Sequence, residues 1–219
     1  MSTLQQLTPV QQDALKEVFN IGSGQAATTL AEVLGLKVMV SVPMIGIKPV
    51  DEVLDALAKP GIPVLSLVNI FAGDVSGATV WLMPGDKAKG FAELCWQHMP
   101  QARKSAEFNF GQIHREISEI MNSAYLNALE DMLNLMTVPS TPLMLSGVMK
   151  NILGKILAER TEAGLVAYVQ NKFSFGEKEH GFSGYFMMMP EAESLRKMLE
   201  ILKVAGVQDQ SATESTKGT

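Results

Sequence analysis

Apolar residues recur at helical spacing early in the chain: Leu15, Val18, Phe19, Ala26, Leu30, Val33 and Leu34 fall on one side. Thr8 can cap that helix, Pro9 suits its first position, and Gln11 three residues after the cap completes a capping box. Gly35 ends it, and strand-like pieces come next over 37–43 and on to about 49. A short helix is expected at 51–58, closed by Pro60-Gly61, then a hairpin of 64–71 and 77–83, then a helix over 86–96.

The order then starts again. A second long helix spans roughly 110–135, Pro139 and Pro142 break the next stretch, and 145–157 is apolar with helical or mixed character. Segments 165–175 and 181–189 read as a second hairpin, and 191–204 as a last helix. The hairpins end alike, Ser76-Gly77 through Met83-Pro84 against Ser183-Gly184 through Met189-Pro190. Glu17-Val18-Phe19-Asn20 on the first long helix recurs as Glu119-Ile120-Met121-Asn122 on the second. Two motifs recurring in one order indicate a duplicated unit. The expected fold class is α+β, a pseudo-two-fold duplicated unit with long helices packed on a shared, mainly antiparallel β-sheet. It forms one domain over 1–206, with halves at about 7–100 and 107–206, and then a disordered tail at 207–219.

Composition narrows the function classes. Hydrophobic residues make up 47% of the 219, enough for a substantial core. A net charge of -5 without a Lys/Arg cluster removes the electrostatic footprint of nucleic-acid binding. No uncharged run approaches the roughly 18 residues of a membrane span, so a soluble cytoplasmic protein is expected. The single cysteine, Cys95, lies in an apolar stretch and reads as a reduced core thiol. His98, His114 and His180 are scattered without partners at metal-ligand spacing, so no metal site is expected. Ser23, between Gly22 and Gly24, lies in a helical pattern and lacks the strand-to-helix setting of a nucleophile elbow. Met187, Met188 and Met189 read as a core strand, and Asp51, Glu52 and Asp55 as a solvated helix face.

At about 100° per residue, Asp13, Glu17, Asn20, Gly24, Ala27 and Ala31 form one narrow stripe opposite the apolar side. Asp13 and Asn20 stand about 10 Å apart along the axis, with Glu17 between them. Small residues at the lower end suit another protein's surface lying against the helix. A lone E-x-x-N is usually just a solvated face. Asn is a poor helix former, however, and its presence mid-helix in both repeats points to a task for the side chain.

These residues resemble the CheC/CheX/FliY phosphatase family of chemotaxis, CheC most of all. The resemblance rests on Asp13, Glu17 and Asn20 leading into Ile21-Gly22-Ser23-Gly24-Gln25-Ala26-Ala27, with Pro43 at the family's customary distance. Glu119, Asn122 and the run from Ala124 to Leu129 resemble the second copy. The resemblance implies removal of the phosphoryl group from the phosphoaspartate of a CheY-type response regulator. Glu17 and Glu119 would pair with the regulator's lysine, and Asn20 and Asn122 would align the attacking water. Asp13, Gly24, Ala27 and Pro43 would belong to the docking surface. Any Mg²⁺ would belong to the regulator, with no cofactor on this chain, and family members often pair with the deamidase CheD. The second copy departs from the pattern at Arg115, at bulky Leu126 and Leu129, and in the spacing of Pro139 and Pro142 from Asn122. A non-catalytic adaptor or flagellar-switch-like scaffold of the same fold is the alternative reading. A duplicated domain binding a small ligand in its sheet is a third.

Overall fold

The computed structural model describes residues 7–57, 61, 63–104, 106–158, 164–176 and 181–203. The expected tail at 207–219 and His180 lie outside these residues. The first helix, α1 (Pro9–Leu34), begins as its sequence predicts. The Thr8 hydroxyl accepts from the Gln11 backbone N–H at 3.3 Å, and the Gln11 side chain accepts from the Thr8 N–H at 3.0 Å. Such caps are each worth about 1 kcal/mol. Gly35, at φ 58°, closes the helix in the left-handed region that glycine enters without steric cost.

Two short strands come next, β1 (Val38–Val40) and β2 (Met44–Pro49), then α2 (Val50–Leu57). The hairpin β3 (Pro63–Gly73) and β4 (Gly77–Pro84) leads into α3 (Gly85–His98). After one 3₁₀ turn at Gln101–Arg103, the second half repeats the series. It comprises α4 (Phe110–Leu133), β5 (Thr137–Pro139), β6 (Leu143–Val148), α5 (Met149–Ala158), β7 (Leu165–Phe175), β8 (Phe182–Pro190) and α6 (Ala192–Ile201). The segment with mixed character over 145–157 thus divides into the end of a strand and a helix. Gly147, at φ 151°, lies just before the change.

All strands share one antiparallel sheet in the order β1-β7-β8-β4-β3-β5, with β2 also on β7 and β6 also on β3. The pseudo-two-fold passes between β8 and β4. The halves are interlaced: β1 and β2 pair with β7 of the second half, while β5 and β6 pair with β3 of the first. Matching polar clasps hold the two edges. The Asn69 carboxamide donates to the Ser140 carbonyl (3.0 Å), and that of Asn171 to the Ser41 carbonyl (2.9 Å). The Ser140 and Ser41 hydroxyls accept from the N–H groups of Ile70 and Lys172 at 3.0 and 2.9 Å.

Period-two alternation along the strands builds a core on each face of the sheet. Leu65, Leu67 and Phe71 of β3, with Trp81, Phe173, Phe186 and Met188, join the helices α1, α3, α4 and α6 on one face. Val64, Val68, Ala78, Val80, Leu82, Met187 and Met189 meet Val53 of α2 and Leu153 of α5 on the other. Cys95 is buried in the larger core, which pushes its thiol up to about 12 and leaves it inert as a nucleophile. The long helices α1 and α4 pack side by side, with the Phe19 and Tyr125 rings stacked at 6.3 Å. Their outward surfaces are the two faces on which the repeated polar motif was expected.

Candidate functional site

On α1 the motif is displayed. Asp13, Glu17 and Asn20 are all exposed on the side away from Leu15, Val18 and Phe19, which are buried. Asp13 pairs with Lys16 at 3.7 Å in a solvated ion pair. Beyond Asn20, a Cβ added at Gly24 would meet nothing within 4 Å, so the helix surface there is open. Two expected docking residues differ. Ala27 is only 7% exposed and belongs to the core, and Pro43 is buried. After Gly35 the chain doubles back and packs β1 and β2 beside α1. The accessible stripe is therefore Asp13, Glu17, Asn20 and Gly24.

On α4 the expected display fails. Glu119 is exposed, but Asn122 is 2% exposed and turned to the sheet, where its Oδ1 accepts from the Thr79 hydroxyl at 2.6 Å. An amide engaged inside the core cannot present water to a partner. The expectation of an outward Asn122 is corrected by this placement.

The register of the two helices explains the reversal. Their left-handed C-caps are Gly35 and Asn134. Asn20 lies fifteen residues before the first cap, and the residue fifteen before the second is Glu119. In this register Glu17 corresponds to Glu116, Ser23 to Asn122, and Pro43 to Pro142, which is buried in its turn. The nine buried positions of α1, from Leu15 to Leu34, all fall on buried positions of α4, from His114 to Leu133. Equating Asn20 with Asn122 would instead set buried Leu30 and Leu34 against exposed Met132 and Met136. Ser23 and Asn122 also behave alike. Ser23 accepts from the Asn171 carboxamide at 3.3 Å, so each of the pair reaches a strand residue beneath its helix.

The residue missed from sequence is thus Glu116, and the spacing of twenty-three residues from Glu119 to Pro142, equal to that from Asn20 to Pro43, was the signal for it. Glu116 is ion-paired to Arg103, which reaches it from the 3₁₀ turn. Glu119 sits close enough to Glu116 to feel it. Partial desolvation first, and then the Glu116 charge, raise the Glu119 carboxyl above its ordinary value, against the opposing pull of Arg115. A groove of about 700 Å³ runs between the helices beside these acids, with Ile21, Gln25, Ile120 and Ala124 among its lining. Among the described residues no group of three or more His, Cys, Asp or Glu could hold a metal ion, and no helix is long and apolar enough to cross a membrane.

The CheC-like family model matches residues 10–47, which span α1, β1 and β2 and include Asp13, Glu17, Asn20 and Pro43. The chain is 27% identical over 206 residues to the CheY-P phosphatase CheC of Bacillus subtilis, covering 92% of this chain and 98% of that one. It is 28% identical over 127 residues to the flagellar motor switch phosphatase FliY of the same organism, covering 58% of this chain and 32% of that larger protein. In fold it is similar to FliY of Thermotoga maritima, with TM-score 0.66, 19% identity and coverage of 90% and 98% of the two chains. It is also similar to the FliM middle domain of Vibrio alginolyticus, with TM-score 0.58, 14% identity and coverage of 86% and 99%. The chain is thus similar to CheC-like proteins, through the family model over its first helix and strands and through Bacillus subtilis CheC over most of its length.

Proposed function

We propose that this chain is a phosphatase acting on the phosphoaspartate of a CheY-type response regulator, and that the α1 face carries the reaction. The observation that supports it most is the exposed pair Glu17 and Asn20 on a well-capped helix, one turn apart, beside the open surface at Gly24. Glu17 pairs with a lysine of the regulator in a charge-assisted contact that fixes orientation. Asn20 then reaches the phosphoryl group. Its amide can accept from a water while donating to an oxygen, without adding negative charge.

An aspartyl phosphate is an activated acyl phosphate, so aligning the water does most of what is needed. The water oxygen bonds to phosphorus as the bond from phosphorus to the carboxylate oxygen breaks. The products are the free aspartate carboxylate and inorganic phosphate, and the water's proton leaves with phosphate or solvent. Mg²⁺ held by the regulator supplies charge neutralisation at the phosphoryl oxygens, and this chain contributes no ligand to it. Such a partner places the work in the cytoplasm.

The scaffold reading draws on the likeness in fold to the FliM middle domain. The two are separated by tracking phosphate loss from a phosphorylated CheY-type regulator in Mg²⁺ with and without this chain. Acceleration by the wild type, lost in Asn20→Ala with regulator binding retained, supports the phosphatase. Binding without any acceleration would replace it with the scaffold.

A further inference from the structure

The cap-anchored register sets a carboxylate, Glu119, where the α1 face has its amide, and a carboxylate already neutralised by Arg103, Glu116, where the α1 face has its free anchor. We propose that these two differences make the α4 face hydrolytically silent, so that the chain works as a one-site phosphatase, and that the silent face is restored by replacing Glu119 and Arg103. This inference rests on the phosphatase reading of the α1 face.

The physical case has three parts. An ionised carboxylate accepts hydrogen bonds but donates none, so Glu119 could hold a water only by turning negative charge toward the phosphoryl oxygens. An amide carries no such charge. Second, the anchoring role needs a carboxylate free to take a partner's lysine, and Glu116 is held by the Arg103 guanidinium. A regulator lysine would have to displace Arg103 and would meet its like charge. Third, the support beneath this face is intact. α4 keeps its N-cap from Asn109 to the Gln112 N–H at 3.0 Å, the buried pattern of α1 and a buried Pro142. The two residues to be replaced, Glu119 and Arg103, are exposed side chains, which can be exchanged with little effect on folding.

The test measures phosphate loss from a phosphorylated CheY-type regulator in Mg²⁺ with the full chain in four forms. These are wild type, Asn20→Ala, the pair Glu119→Asn with Arg103→Ala, and all three substitutions together. Thermal unfolding checks that each is folded. Asn20→Ala should lower the catalysed rate about a hundredfold. The triple variant should recover at least about tenfold of that loss, because the amide now stands on α4. The pair alone should match or exceed wild type. A folded triple variant as slow as Asn20→Ala would overturn the proposal while leaving the α1 reading in place. So would an Asn20→Ala protein that keeps about half its rate until Glu119 is replaced by Ala, since α4 would then be active as it stands. A wild type that accelerates nothing overturns the phosphatase reading and this inference with it.

Discussion

The α1 and α4 helices are built on one plan and use their polar residues in opposite directions. α1 seats Leu15, Val18 and Phe19 against the sheet and turns Glu17 and Asn20 to solvent. α4 buries His114 against α3 and Ser118 and Asn122 against the sheet, and shows the carboxylate Glu119 outside. His114 Nε2 lies 3.0 Å from the Ala88 carbonyl, and the Ser118 hydroxyl donates to Asn69 at 3.3 Å. Asparagine in a helix is therefore not one signal. The same side chain can serve a partner from outside or hold a helix to its sheet from within, and only the register decides between them.

The largest effect that could break this comparison is expected at Asn20. Replacing it with Ala should raise the barrier to regulator dephosphorylation by about 3 kcal/mol, judged by deletions of comparable donors, with unchanged thermal unfolding. A full-rate Asn20→Ala protein would erase the distinction between the helices.

Next in size is the acid sensitivity of α4. Burial lowers the His114 imidazole from 6.5 to about 4 despite its bond to Ala88, so the folded chain holds it neutral. As pH falls from about 6.5 to about 4, the unfolded chain takes up a proton that the folded chain refuses, and stability drops, by on the order of 3 kcal/mol over the window. The ring packs against Phe91 and Phe110 with centroids at 5.7 and 4.6 Å, so His114→Phe should fold and flatten this slope in acid melts. An unchanged slope would assign the acid response elsewhere.

Asn122→Ala should cost about 1–3 kcal/mol, because the buried Thr79 hydroxyl loses its acceptor, while catalysis at α1 continues at the wild-type rate. A lost rate with intact stability would return Asn122 to the reaction. The smallest effect is at Gly24. With open space around its missing Cβ, Gly24→Gln should stabilise the helix by about 0.5–1 kcal/mol and slow dephosphorylation several-fold by crowding the docking surface. A stabilised protein of unchanged rate would move the docking surface away from that stripe.

Much of this was legible in the chain itself. Thr8, Pro9 and Gln11 announced α1, the paired Ser-Gly to Met-Pro segments announced the β3-β4 and β7-β8 hairpins, and the duplication implied the shared antiparallel sheet. The display on α1 was readable because Asp13, Glu17 and Asn20 fall clear of its apolar side. The α4 face misled for a physical reason. E-x-x-N places two residues one turn apart wherever it occurs, so the string at 119–122 satisfies the spacing whether it faces solvent or sheet. Fixing the rotation needs an anchor outside the motif, here Asn134 as the C-cap and Pro142. The burial of Ala27 and Pro43 was hidden because it depends on tertiary packing, which no helical projection contains.

The crossed strand pairing has a consequence for how far the two faces can drift apart. Giving β1 and β2 to β7 and taking β5 and β6 onto β3 is a domain swap made permanent inside one polypeptide. Either half expressed alone would lack the strands that complete its own sheet edge. One helix can thus abandon its surface chemistry without loosening, because its neighbour's strands still clasp it, and both halves must melt together.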